Sequence, residues 1–135
     1  MKLKCQNMKY ECSLLWYDGP FKMVFKKTDN NNYLLLAFGE EWDDGLVLWL
    51  GIELNHNDLS DYFNRKITLK NIFKNNNNYF HWITYGRFFG VQEERIPEND
   101  NEWKISVEKY LGDVFFSKEN AGTGTKFVEN FLKNK

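Results

Sequence analysis

Four carboxylates fall within five residues at Glu40, Glu41, Asp43 and Asp44, with Trp42 in their midst. Oxygen ligands at that density are what a hard cation requires. The spacing lacks the Asp/Asn alternation and the distal Glu of a calcium-binding loop, so an acidic turn kept in solvent is the simpler reading and no metal is expected. Trp42 asks for a different account. A tryptophan flanked by Glu41 and Asp43 has little reason to be buried, and Trp, Tyr and Arg dominate the energetics of protein interfaces. Trp42 with Glu40, Glu41, Asp43 and Asp44, joined by Tyr17, Tyr85 and Arg87, is the candidate partner-binding set. Tyr17 and Tyr85 also fit simple packing at strand ends.

Proton-transfer chemistry finds little support. The two histidines are His56, in an Asn-His-Asn-Asp loop where it helps cap a helix, and His81, among apolar neighbours on a strand. A satisfied, partly buried imidazole suits His81 better than a catalytic base. No nucleophile elbow, HExxH pair or Cys-His arrangement is present. A small hydrolase built from the acidic loop and a histidine is the weakest reading, and the chain leans away from being an enzyme.

Two other patterns invite a ligand. Gly122-Thr123-Gly124-Thr125-Lys126 superficially resembles a phosphate loop, yet it matches neither the Walker nor the dinucleotide spacing, so a flexible lead-in to a helix is preferred. Arg65, Lys66, Lys70 and Lys74 form a basic patch beside Tyr62, Phe63 and Phe73. On one continuous helix Lys66, Lys70 and Lys74 would share a face, and cations beside aromatic platforms bind nucleotides or single strands. A solvated helix face with its aromatics buried is the plainer alternative.

The totals narrow the field. A chain of 135 residues holds one domain, residues 1–135. Its 18 basic and 19 acidic side chains argue against sequence-independent binding to a polyanion, leaving nucleic acid only a local face. Five Trp, seven Tyr and twelve Phe exceed what a core of this size needs, which favours a contact surface. Cys5 and Cys12 read as reduced, part-buried thiols. The first ten residues lack the apolar stretch of a signal peptide, and no run approaches a membrane span, so a soluble cytoplasmic protein without cofactor is expected.

The elements that would position these residues begin with strands. Residues 13–17 and 21–27 are strand-like around an Asp18-Gly19 turn, and the second alternates, with Phe21, Met23 and Phe25 on one face and Lys22 and Lys26 on the other. The alternation predicts that one face is buried. The acid- and amide-rich residues 29–32 turn the chain into the apolar run 33–38, and 45–54 forms a second such run, both as expected of strands covered on two faces. Asp58 is placed to cap a helix through Leu59, Tyr62 and Phe63, and Thr68 another through Leu69, Ile72 and Phe73. Residues 79–85 return to strand. Residues 100–111 fit both a strand and a helical stripe of Trp103, Val107, Tyr110 and Leu111. Thr123 or Thr125 caps a last helix with Phe127, Val128, Phe131 and Leu132 on its apolar face.

The order of Tyr17-Asp18-Gly19-Pro20, Tyr33-Leu34-Leu35-Leu36 and Leu69-Lys70-Asn71-Ile72-Phe73 resembles a family of small bacterial and phage-encoded domains of unknown function, which share a Tyr-Asp-x-Pro opening to an antiparallel sheet. The resemblance covers roughly the first 85 residues. It implies a prokaryotic or phage setting and a compact α+β fold, and it brings no catalytic residues.

The expectation is therefore a single α+β domain: a twisted antiparallel sheet of five or six strands, two or three short helices, and the C-terminal helix packed on the sheet. The expected function is a non-enzymatic protein-interaction module, of the inhibitor or immunity type found in bacterial–phage conflict. Binding of a nucleotide or single-stranded nucleic acid at Arg65, Lys66, Lys70 and Lys74 is the alternative.

Overall fold

A computed structural model describes residues 8–16, 20–41, 45–75, 79–85, 92–95, 107–117 and 124–133. Six strands, β1 (Met8–Trp16), β2 (Pro20–Lys27), β3 (Tyr33–Glu41), β4 (Leu46–Leu54), β5 (Tyr79–Tyr85) and β6 (Gln92–Arg95), lie in one sheet in chain order. Every neighbouring pair is antiparallel. Helices α1 (His56–Phe63) and α2 (Leu69–Lys74) occupy the β4–β5 connection. Residues 107–110 are helical, and α3 (Thr125–Lys133) follows. The fold is α+β with a C-terminal helix against the sheet, as the sequence pattern predicts. No helix among the described residues is long and apolar enough to cross a membrane.

The apolar runs are apolar because both faces of the sheet are covered. Leu35 and Ala37 of β3 and Leu50, Ile52 and Leu54 of β4 join the helices in one cluster. Leu34, Leu36, Val47 and Trp49, on the intervening positions, join Met23, Phe25 and Phe80 in a second. The same holds for β2, against the expectation of a single buried face. Between Lys22 and Lys26, Val24 is fully buried under the helices. The two lysines lay their stems along that face and set their ammonium groups 5.9 Å from the ring centroids of Tyr62 and Tyr33. Long aliphatic stems allow a lysine to line an apolar layer, so the polar letters conceal a buried face.

Helix ends follow local hydrogen bonding. Thr68 caps α2 as predicted, its Oγ1 accepting from the Asn71 N–H at 3.3 Å, and Asn75 closes the helix. The α1 cap lies three residues earlier than predicted: Asn55 Oδ1 accepts from the Asp58 N–H at 2.8 Å, so Asp58 sits inside the first turn. His56 is likewise a helix residue and not a cap, with its ring stacked on Phe131 at 4.2 Å. Thr125 is the first residue of α3 and not its cap, and Thr123 lies outside the described residues; Val128 and Phe131 are buried, with Phe127 and Leu132 packed at the margin. The ambiguous 100–111 stretch is helical over 107–110, with Val107 and Leu111 pointing into the core; Trp103 and Ile105 lie outside the described residues.

One network closes the β2–β3 turn. Lys27 Nζ donates to Glu53 Oε1 at 2.6 Å and Asn32 Nδ2 to Glu53 Oε2 at 2.7 Å, while Asn32 N–H bonds Asn30 Oδ1. Burial alone would raise the Glu53 carboxyl, but the Lys27 and Asn32 donors outweigh it and hold the group below its ordinary value. A second constraint is steric. Gly51 stands opposite Leu36 and Phe80, and a Cβ there would overlap the Phe80 ring and come within 2.7 Å of Leu36 Cδ2. Gly51→Ala should lower stability by about 1–3 kcal/mol through overpacking. Phe80→Leu in the same chain should recover part of that loss, as read by urea unfolding of the single and double variants.

Cys12 is free and buried, not the part-buried thiol expected; Cys5 lies outside the described residues. Burial, then the charge of Glu11, pushes its thiol from 9.0 up to about 12. A folded-state value above the unfolded one means stability that is whole below pH 9.0 and lost as pH rises toward about 12. The stability difference between the wild-type chain and Cys12→Val should therefore shrink with rising pH from 9.0, a slope that urea titrations at successive pH values will measure.

Candidate functional site

The acidic segment begins in strand and not in a loop. Glu40 and Glu41 end β3, and a bulge decides where Glu40 points. Phe38 pairs with Trp49 and Glu40 with Leu48, so Gly39 is the extra residue. In a regular strand without the bulge, Glu40 would share the face of Phe38, whose ring meets Trp49 edge-on at 6.0 Å. With it, Glu40 turns to the helix side, where Tyr110 donates its O–H to Glu40 Oε2 at 2.7 Å. Re-aiming one side chain is what a bulge does. A Cβ on Gly39 would lie 2.8 Å from Leu50 Cδ1, so glycine suits the position. Glu41 stays exposed. Trp42, Asp43, Asp44, Tyr17 and Arg87 lie outside the described residues, as does the Tyr85 side chain at the end of β5.

The helical residues 107–110 are held from several sides. Val107 and Leu111 enter the core, Glu108 reaches α2, and Tyr110 reaches β3. Lys109 Nζ sits 5.1 Å from the Tyr110 ring centroid. Tyr110 holds the Lys109 ammonium above its ordinary value, with Glu40 a smaller cause. Burial, then the bond to Glu40, raises the Tyr110 phenol. A phenol that stays protonated and already donates to a carboxylate is a latch between helix and sheet.

The basic patch divides in three. Lys70 and Lys74 both reach Glu108, at 3.4 and 2.6 Å, so their charge is partly answered within the fold. Lys66 is exposed in the α1–α2 connection and not on a helix, which breaks the shared face the spacing suggests. Arg65 has φ 63°, the one non-glycine residue in the left-handed region among those described. It ends α1 in a Schellman turn: Arg65 N–H bonds Tyr62 O at 3.1 Å and Lys66 N–H bonds Asp61 O at 2.9 Å. Its guanidinium lies 6.0 Å from the Phe115 ring centroid.

Phe115 belongs to a strap over the helices that sequence reasoning missed. The Leu69 N–H, an orphan of the first turn of α2, finds Val114 O at 2.8 Å. Phe116 turns inward against Tyr62 and Phe63, while Val114 and Phe115 are 50 % and 47 % exposed. The one signal was the Val-Phe-Phe run after Gly112 and Asp113, an apolar triplet that belongs to none of the predicted strands or helices. His81 is buried and already engaged. Gly124 of the apparent phosphate loop lies against β1, where a Cβ would meet Ser13 O at 2.6 Å, so the glycine permits close packing. Among the described residues no group of three His, Cys, Asp or Glu is placed to hold a metal.

Comparison with protein-family models, with curated proteins and with solved structures returns no match. Tyr110→Phe should cost about 1 kcal/mol in urea unfolding, the net worth of one hydrogen bond. Glu40→Gln should cost less, because the amide oxygen still accepts from Tyr110. Equal losses from both would show that the charge of Glu40, and not its bond to Tyr110, holds the latch.

Proposed function

We propose that the chain is a non-enzymatic protein-interaction module whose contact surface includes the shoulder formed by Arg65, Val114 and Phe115. The observation that carries this reading is Arg65 at φ 63° over an exposed ring. An L-residue in the left-handed region costs about 1–2 kcal/mol. An exposed cation–π contact returns only about 0.5–1 kcal/mol. Glycine would serve the helix end better, so the arginine is a net burden to the fold and an asset to a surface. Arg and aromatic side chains are the types that anchor interfaces.

An inhibitor or immunity-type role in bacterial–phage conflict is the setting we infer, resting on the resemblance at Tyr17-Asp18-Gly19-Pro20 and on the small size of the chain. Trp42, Asp43 and Asp44 remain the second surface to test. Nucleotide or single-strand binding draws less support, because Lys70 and Lys74 already share Glu108.

Arg65→Gly separates fold from function. It should stabilise the chain by about 1 kcal/mol in thermal unfolding. It should also reduce capture of partners from extracts of bacterial cells, uninfected and phage-infected, read by quantitative mass spectrometry. Phe115→Ser should reduce capture as well, while Lys133→Ser, on exposed α3 surface, should not. Unchanged capture by both shoulder variants would remove the shoulder from the contact surface.

A further inference from the structure

Strand β2 carries two lysines withdrawn from solvent, on opposite faces of the sheet, and their surroundings differ. Lys27 has Glu53 at 2.6 Å and Asp29 at 3.9 Å. Lys22, opposite Ala37 in the register, has no carboxylate partner among the described residues. Its ammonium instead lies 5.9 Å from the ring centroid of Tyr62. Tyr62 is fully buried, and its hydroxyl has no hydrogen-bond partner among the described residues. The layer around them is apolar, with Val24, Ala37 and Phe116 in the same cluster. Lys22 keeps partial exposure, so a small reagent can reach it.

An amine without a counter-ion in an apolar layer is driven toward its neutral, nucleophilic form, the usual route to a reactive lysine. Burial lowers the Lys22 ammonium below its ordinary 10.5. The orphaned Tyr62 hydroxyl adds a donor with nothing to donate to, and buried polar groups ordinarily have partners. A carbonyl compound answers both needs: its carbon takes the amine's electron pair, and its oxygen accepts from the hydroxyl.

We propose that Lys22 is a stoichiometric covalent capture site for small aldehydes, with Tyr62 as its hydrogen-bonding neighbour. The lone pair of the neutral amine forms the C–N bond as the carbonyl π pair moves to oxygen. A proton lost from nitrogen reaches that oxygen, giving a carbinolamine. Loss of water, carrying the second N–H proton, leaves the C=N bond of an imine, and no oxidant or reductant is consumed. The capture chemistry does not rest on the Arg65–Phe115 shoulder, so its failure would leave the interaction reading untouched.

The folded full chain is treated with propionaldehyde, with cyanoborohydride present to fix each imine as a secondary amine. Occupancy at every lysine is read by peptide mass spectrometry across a series of pH values. At neutral pH Lys22 should label faster than Lys26 and Lys27 by about threefold or more, as a desolvated amine does. That advantage should fade as pH approaches 10.5, where ordinary lysines also become neutral. Ala37→Asp, which sets a carboxylate opposite Lys22, should slow capture there in a chain shown to be folded by circular dichroism. Tyr62→Phe keeps the ring and should slow capture without altering its pH dependence. Labelling of Lys22 no faster than Lys26, or an advantage that does not change with pH, would overturn the proposal; an unchanged rate in Tyr62→Phe would remove Tyr62 from it.

Discussion

Strands β3 and β4 are apolar on both faces, and that single constraint organises the molecule. A strand pair with Leu34, Leu36 and Trp49 on one side and Leu35, Leu50 and Ile52 on the other can leave neither side in water. Burying a side chain of this size is worth about 1.5–3 kcal/mol, so exposing either layer would exceed the whole margin by which small domains are stable. One layer is closed by α1, α2, residues 107–116 and α3. The other contains Met23, Phe25 and Phe80 beside the central strands, with Phe80 seated over the bare backbone of Gly51.

Polar chemistry is confined to the ends of those layers, and each polar group there has a distinct solution. Lys27 and Glu53 are drawn in together and carry the β2–β3 turn with them. Glu40 is swung to the helix side by an extra glycine and meets a phenol. Among the described residues Lys22 has only a ring, and the Tyr62 hydroxyl has no partner. The first two arrangements are satisfied and structural. The last two are not, and unsatisfied groups in an otherwise closed interior are where chemistry has room to enter.

Much of the architecture was legible because period-2 patterning and turn residues act locally. The runs at 33–38 and 45–54 announced two-sided burial, and Thr68 announced α2. The site was harder to read for physical reasons. A bulge reverses the direction of every side chain beyond it, and Gly39 gives no sign of which neighbour it displaces. Lysine reads as solvent in any alternation, although its stem packs well, so the covered face of β2 was hidden. The Glu108 pairings with Lys70 and Lys74 join residues more than thirty positions apart, a distance over which sequence periodicity says nothing. The shoulder at Val114 and Phe115 was overlooked because a Val-Phe-Phe run reads as core, whereas Phe116 alone of the three is buried.

The strict chain order of the six strands also sets how the molecule assembles. Neighbours from β1 to β4 are joined by short connections, so each hairpin closes at small entropic cost and the N-terminal half zips up from local encounters. β5 must find β4 across the span that holds α1 and α2, from Leu54 to Tyr79. The nascent chain therefore offers an unpaired β4 edge until both helices have emerged. During that interval Trp49 and Val47 are exposed to any passing strand, and the speed with which α1 and α2 fold governs how long the vulnerability lasts.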